Sequence, residues 1–101
     1  MQIKRAALIL SQLGNETRLK IVRHLVKAGE DGVPVGDLQT HLGVPGSTLS
    51  HHLGHLKQAS LIEQRREGTT LYCVMNYEVM ESVIGFLTDE CCINARGSRA
   101  A

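Results

Sequence analysis

Sulfur and imidazole are the side-chain groups of this sequence with the most chemistry to offer. There are three cysteines, Cys73 and the adjacent pair Cys91 and Cys92. An odd number cannot close into a disulfide framework, so they read as thiols for soft-ion binding or redox chemistry. Adjacent sulfurs suit a soft, thiophilic ion. Among the five histidines, His24 and His41 have no second ligand at matching helical spacing and read as solvated helix positions. His51 and His52 are neighbours that point about 100° apart on a helix, a poor chelating pair. No Cys-x-x-Cys, phosphate loop or glycine-rich cofactor fingerprint occurs, which counts against a thiol enzyme.

Hydroxyl, imidazole and guanidinium groups make a second set. From Gly46 to Ala59 the apolar positions Leu49, Leu53 and Leu56 form one narrow helical stripe. The opposite direction is taken by Ser47, Thr48, His51, His55 and Gln58, with Ser50 at one margin of the stripe and His52 beside it. Arg65 and Arg66 follow closely. A helix fits the major groove of a duplex, small hydroxyl residues in its first turn let it approach phosphates and base edges, and arginines on a following hairpin reach an adjacent groove. Paired helices of this kind also occur in ordinary all-α folds, where such a polar face is merely solvated.

Several elements must position these groups. Residues 3–13 are apolar nearly all round and want burial on two sides, one of which a partner subunit can supply. Gly14 ends that helix and Asn15 caps the next, striped by Leu19, Val22, Leu25 and Val26. After a loop from Gly29 to Pro34, a short helix from Val35 buries Leu38 and Leu42 and stops at Gly43. The turn Gly43-Val44-Pro45 leads into the Gly46 helix. Leu61–Arg65 and Thr70–Met75 read as a two-stranded β-hairpin turning at Arg66-Glu67-Gly68-Thr69, and a last helix runs from Tyr77 to Cys92. The fold class is therefore mainly α (α+β): a winged helix-turn-helix of about five helices with a two-stranded wing, comprising residues 1–92 and a flexible tail, 93–101.

At 101 residues this is one domain, small enough that dimerisation would usefully hide apolar surface. The net charge of +1 conceals polarity: residues 1–28 carry six basic side chains and one acid, and residues 67–90 five acids and no base. With no Trp, one Phe and two Tyr, the stacking platforms of RNA and single-strand binders are missing, leaving double-stranded DNA. The longest apolar run, Ala6–Leu10, is too short for a membrane span or a signal-peptide core, which points to the cytoplasm.

The strings Asn15-Glu16-Thr17-Arg18-Leu19-Lys20-Ile21, Ser47-Thr48-Leu49-Ser50-His51-His52-Leu53 and Leu61-Ile62 with Arg65-Arg66-Glu67-Gly68 and Leu71-Tyr72 stand in the order and spacing of a known family. Over residues 3–92 the chain resembles the ArsR/SmtB family of bacterial metal-responsive repressors. The resemblance implies a homodimer held by its first and last helices, with the Gly46 helix in the major groove. It makes Ser47, Thr48, Ser50 and His51 DNA-reading positions and Arg65 and Arg66 wing contacts; His55 is added from its outward angle.

The family's zinc site on the last helix needs histidine, and none follows His55; its thiolate site before the recognition helix needs cysteine, and none precedes Cys73. Cys91-Cys92 resembles the cysteine pair ending the last helix in one group of arsenic-responsive members, although no third cysteine follows. Within one chain, Cys73 and Cys91 are separated by about 20 Å of helix at 1.5 Å per residue. If the last helices pair antiparallel across a two-fold axis, as the resemblance implies, Cys73 meets the partner's cysteine pair. The expectation is two intersubunit sites, each a vicinal pair plus one trans sulfur, or a two-sulfur version suited to monomethylated arsenic. The expected protein binds an inverted-repeat operator with no cofactor and releases it on capturing trivalent arsenic or antimony. The alternative is a thiol redox or persulfide sensor of the same fold.

Overall fold

The first corner of the chain is set by Gly14, which closes helix α1 (Ile3–Leu13), and by Asn15, whose side chain accepts the Arg18 amide at 3.0 Å and caps α2 (Glu16–Ala28). The computed structural model describes residues 1–95. A single 3-10 turn, Gly29–Asp31, leads to strand β1 (Val33–Pro34), then α3 (Val35–Leu42) and α4 (Gly46–Gln58). Gly43 ends α3 in the left-handed conformation at φ 65°, its amide donating to the Gln39 carbonyl at 2.9 Å. That geometry favours glycine, because a Cβ there crowds the backbone.

Strands β2 (Ile62–Glu67) and β3 (Thr70–Met75) form the hairpin, and Asn76 caps α5 (Tyr77–Thr88) by accepting the Val79 amide at 3.2 Å. The sheet has three antiparallel strands in the order β1-β3-β2, one more than the hairpin expected from sequence. β1 is only two residues long, too short for alternation to announce it; it forms because Val33 and Pro34 pair with Cys73 and Tyr72. Gly32 permits this approach, since at φ 76° an added Cβ would lie 2.7 Å from the Cys73 carbonyl oxygen. The hairpin turn is also tighter than expected: Glu67 pairs with Thr70, so Arg66 and Glu67 belong to β2.

The last helix departs most from the sequence reading. It ends at Thr88 rather than Cys92, and residues 89–94 form turns. No basic residue stands in its final turn, while Asp89 and Glu90 bring negative charge to the negative end of the helix dipole. Short bonds such as Cys91 N–H to the Thr88 carbonyl at 3.0 Å replace the helical ladder. Of the tail expected at 93–101, residues 96–101 lie outside the described residues.

The core gathers Ile9, Ile21, Leu25, Leu38, Leu49, Leu56 and Val83 from the five helices, with Leu61 from the link between α4 and β2. The all-round apolar α1 is thus only half satisfied within the chain: Ile3 is 76% and Leu8 50% exposed. On α5, Val83 is buried while Ile84 and Leu87 face outward. Leu13 of α1, Leu19, Val22 and Val26 of α2 and Met80 and Ile84 of α5 line a largely apolar groove, with Arg23 and Lys27 also lining it. Among the described residues no helix is long and apolar enough to cross a membrane.

Candidate nucleic-acid interface and thiol pair

Helix α4 divides as its stripe predicts. Leu49, Leu53 and Leu56 are buried, whereas Ser47, Thr48, Ser50 and His51 are exposed and His55 is half-buried. The His51 and His55 rings lie one helical turn apart, Nε2 to Nε2 at 3.2 Å. His52 turns away from them, its Nδ1 accepting from the Arg18 guanidinium at 3.2 Å. Burial lowers the His52 pKa below the ordinary imidazole value, and the positive fields of Arg18, His51 and His55 add to the effect. His52 thus anchors α4 to α2, while the outward set, in which His51 and His55 hydrogen-bond to each other, faces away from the core.

The two wing arginines have different roles. Arg65 is tied down: its guanidinium donates to the Glu67 carboxylate at 3.1 Å and to the Asp31 carbonyl at 3.0 Å, and it lies 5.3 Å from the Tyr72 ring centre. It clamps the hairpin to the turn before β1. Arg66, the next residue on the strand and so on the opposite face, is exposed, and its side chain has no ion pair or hydrogen bond among the described residues. Of the two, Arg66 is the side chain at liberty to meet a phosphate.

The cysteines also separate. Cys91 and Cys92 are exposed, with their sulfurs 3.4 Å apart. Sulfurs bound to one ion at about 2.3 Å each are about 3.4 Å apart when they subtend about 95°, so the pair is already spaced for sharing an ion. Cys73 is 0% exposed, pairs across the sheet with Val33 and Gln64, and accepts from Gln64 Nε2 at 3.6 Å. Burial pushes its thiol pKa up. The burial of Cys73 counts against the trans-ligand expectation: a sulfur sealed inside the sheet reaches a partner's cysteines only if β1 is drawn away from β3. Among the described residues no group of three or more His, Cys, Asp or Glu gathers to hold a metal.

Sequence reasoning missed two features. Arg18 joins three helices, since its Nε also donates to the Gln12 carbonyl at 2.7 Å; nothing in the periodicity of α2 marks it. His24 and His41 stack with ring centres 4.1 Å apart, although they sit on different helices. They line a cleft with Lys20, Arg23 and Lys27. Burial, then the charges of His41 and Lys27, lower the His24 pKa. Helical spacing within one element cannot reveal a contact between two.

A helix-turn-helix domain model matches residues 13–65, which spans α2 through the start of the wing. The transcriptional repressor SdpR of Bacillus subtilis is 32% identical over 79 residues, covering 78% of this chain and 84% of that protein. A Halobacterium salinarum protein named as the arsenical resistance operon repressor ArsR2 is 41% identical over 64 residues, 63% of this chain. The chain spans about half the length of that relative, 53%. Among solved structures, the homodimeric winged helix-turn-helix DNA-binding domain of a possible ArsR-family regulator from Mycobacterium bovis superposes with a TM-score of 0.69 at 28% identity, covering 96% of this chain and 90% of that one. These relatives are regulators of transcription, not enzymes. With its three-helix reading unit, its wing and this set of relatives, the chain belongs to the ArsR family of winged helix-turn-helix transcriptional repressors.

Proposed function

We propose that this repressor acts in the cytoplasm as a homodimer on an inverted-repeat DNA operator, with residues 1–92 as the working unit, and leaves that operator when Cys91 and Cys92 capture trivalent arsenic or antimony. The observation that carries the reading is the exposed sulfur pair, 3.4 Å apart, placed directly after α5. Helix α5 presents Ile84 and Leu87 outward beside an α1 that presents Ile3 and Leu8, which supports pairing of both helices with a second copy. The Mycobacterium bovis neighbour is homodimeric, and the Halobacterium relative is named for arsenical resistance.

The contacts follow from exposure. Ser47, Thr48, Ser50, His51 and His55 face the major groove, Arg66 reaches a flanking phosphate, and Arg65, whose side chain is 46% exposed, holds the wing in place and meets the duplex from there. Two sulfurs leave the third position of a trivalent ion's pyramid to a hydroxide or a methyl group, which suits a monomethylated arsenical at least as well as arsenite. An ion captured beside the subunit seam alters how the two α5 helices meet. It thereby shifts two reading heads relative to half-sites roughly 34 Å apart. Coupling of about 1 to 3 kcal/mol lowers operator affinity roughly 5- to 150-fold.

The test is a gel-shift series on the duplex the protein selects from a random pool, with arsenite, antimonite, methylarsenite or dilute peroxide added in turn. Release by a trivalent arsenical or antimonite, abolished in Cys91→Ser, is the expected result. Release by peroxide alone would replace the metalloid reading with redox sensing, and absence of duplex binding would defeat both.

A further inference from the structure

The pair His51 and His55 has a property that contact with DNA does not require. Their Nε2 atoms stand 3.2 Å apart, with the rings nearly perpendicular at 82°. A zinc-like ion holds imidazole nitrogens at about 2.0–2.1 Å, which places two of them about 2.9 Å apart at a right angle and about 3.3–3.4 Å apart at the tetrahedral angle. The two nitrogens share a hydrogen bond in the metal-free chain, and their spacing lies inside that window, so an ion that replaces the shared proton finds both donors at the required separation. The helix supplies it: residues four apart lie on one face. His52, the third imidazole nearby, is committed to Arg18 and is no competitor for the ion.

We propose that His51 and His55 form a two-imidazole site for a borderline divalent transition metal, such as Ni2+ or Zn2+, on the DNA-facing surface of α4. The site is separate from the sulfur pair in place and in ligand chemistry: nitrogen donors select borderline ions, and the sulfurs select soft ones. Its surroundings are Ser50, Gly54 and Gln58, and no third His, Cys, Asp or Glu joins it among the described residues. The ion therefore keeps water on its remaining positions and binds reversibly. Because the same imidazoles face the duplex, a hydrated ion held between them occupies the space that base edges would fill. Metal and operator then exclude each other, and by reciprocity the operator weakens metal binding by the factor with which metal weakens operator binding. This is a second inhibitory input, acting at the reading head itself.

The experiment uses the full chain carrying Cys91→Ser and Cys92→Ser, so that sulfur does not compete, with Ni2+ as the probe. Calorimetry on the DNA-free protein is expected to give one Ni2+ per protomer, with the His51 and His55 ring protons broadened by the paramagnetic ion and those of His24 and His41 unaffected. His51→Gln and His55→Gln, each alone, are expected to weaken Ni2+ by at least about tenfold, since even second-shell partners of a metal are worth 10- to 100-fold. Saturating Ni2+ is expected to weaken the selected duplex at least about tenfold in the parent and less than about twofold in either Gln variant, whatever the variant's own DNA affinity. Unchanged Ni2+ affinity in both variants, broadening at His24 and His41 instead, or equal Ni2+ affinity with and without duplex would overturn the proposal. The calorimetric arm needs no DNA, so a failure of operator binding leaves it standing as a separate result.

Discussion

Arg18 and His52 lie thirty-four positions apart in sequence and meet at 3.2 Å, where the guanidinium of α2 donates to the imidazole of α4. Because the same side chain also donates to the Gln12 carbonyl of α1, one residue ties the outer apolar helix to the reading helix. A planar fork with several donors can do both at once, and an ammonium cannot hold the same geometry.

Arg18→Lys is therefore expected to cost about 1 to 2 kcal/mol of folding stability, the worth of one or two part-buried charge-assisted hydrogen bonds. Denaturant titration is the measurement: the midpoint drops while the slope stays constant. A midpoint equal to that of the parent would show that the link contributes nothing.

Stability should fall on mild acidification. His52 and His24 both have pKa values lowered by burial, helped by Arg18 with His51 and His55 in one case and by His41 and Lys27 in the other. Unfolded histidine takes up a proton near pH 6.5, whereas these folded sites resist it. Below that pH the unfolded state holds more protons, so stability declines as pH falls through 6.5 and on through the lower folded values; above it the contribution is fully present. His52→Asn keeps an acceptor for Arg18 but cannot titrate, and melting curves between pH 7 and 5 should show a shallower decline. The same slope in both proteins would remove His52 as a cause.

Thiol labelling should divide the cysteines in two. Cys91 and Cys92 are exposed and Cys73 is buried with a raised pKa, so an aromatic disulfide reagent should react at two sites per chain promptly and at the third only on unfolding. Cys73→Ser should lower stability by about 1 to 3 kcal/mol, from a polar group placed in an apolar sheet, and leave arsenical affinity unchanged. Weaker arsenical binding in Cys73→Ser, with the fold intact by circular dichroism, would restore that sulfur to the site.

The wing arginines should differ in kind. Arg66→Ala is expected to leave the melting temperature alone, weaken DNA binding about equally across sequences and lower the salt-dependence slope by about 1. Arg65→Ala should also destabilise the fold, because it releases the contacts to Asp31, Glu67 and Tyr72, though its partial exposure keeps the loss to about 1 kcal/mol or less. Identical effects of the two substitutions would mean that the clamp is not formed in solution.

The elements with a strong local signal were legible from the chain alone. The stripe Leu49, Leu53 and Leu56 fixes which face of α4 is buried, Asn15 caps α2, and Gly43 ends α3, because periodicity and caps act over one or two turns. Hence the exposed set from Ser47 to His51 could be named before any coordinates. Contacts between elements were not legible. The β1 strand, the Arg18 to His52 link, the stacked His24 and His41 and the sealing of Cys73 all depend on which helices and strands become neighbours. The helix end at Thr88 belongs with them, since apolar periodicity continues to Cys91 while the charge of Asp89 and Glu90 and the absence of packing beyond Leu87 stop the ladder. Sequence thus decided the reading head, whose physics is local. Tertiary packing decided which reactive groups reach the surface, because burial is a property of neighbours that a linear pattern does not contain.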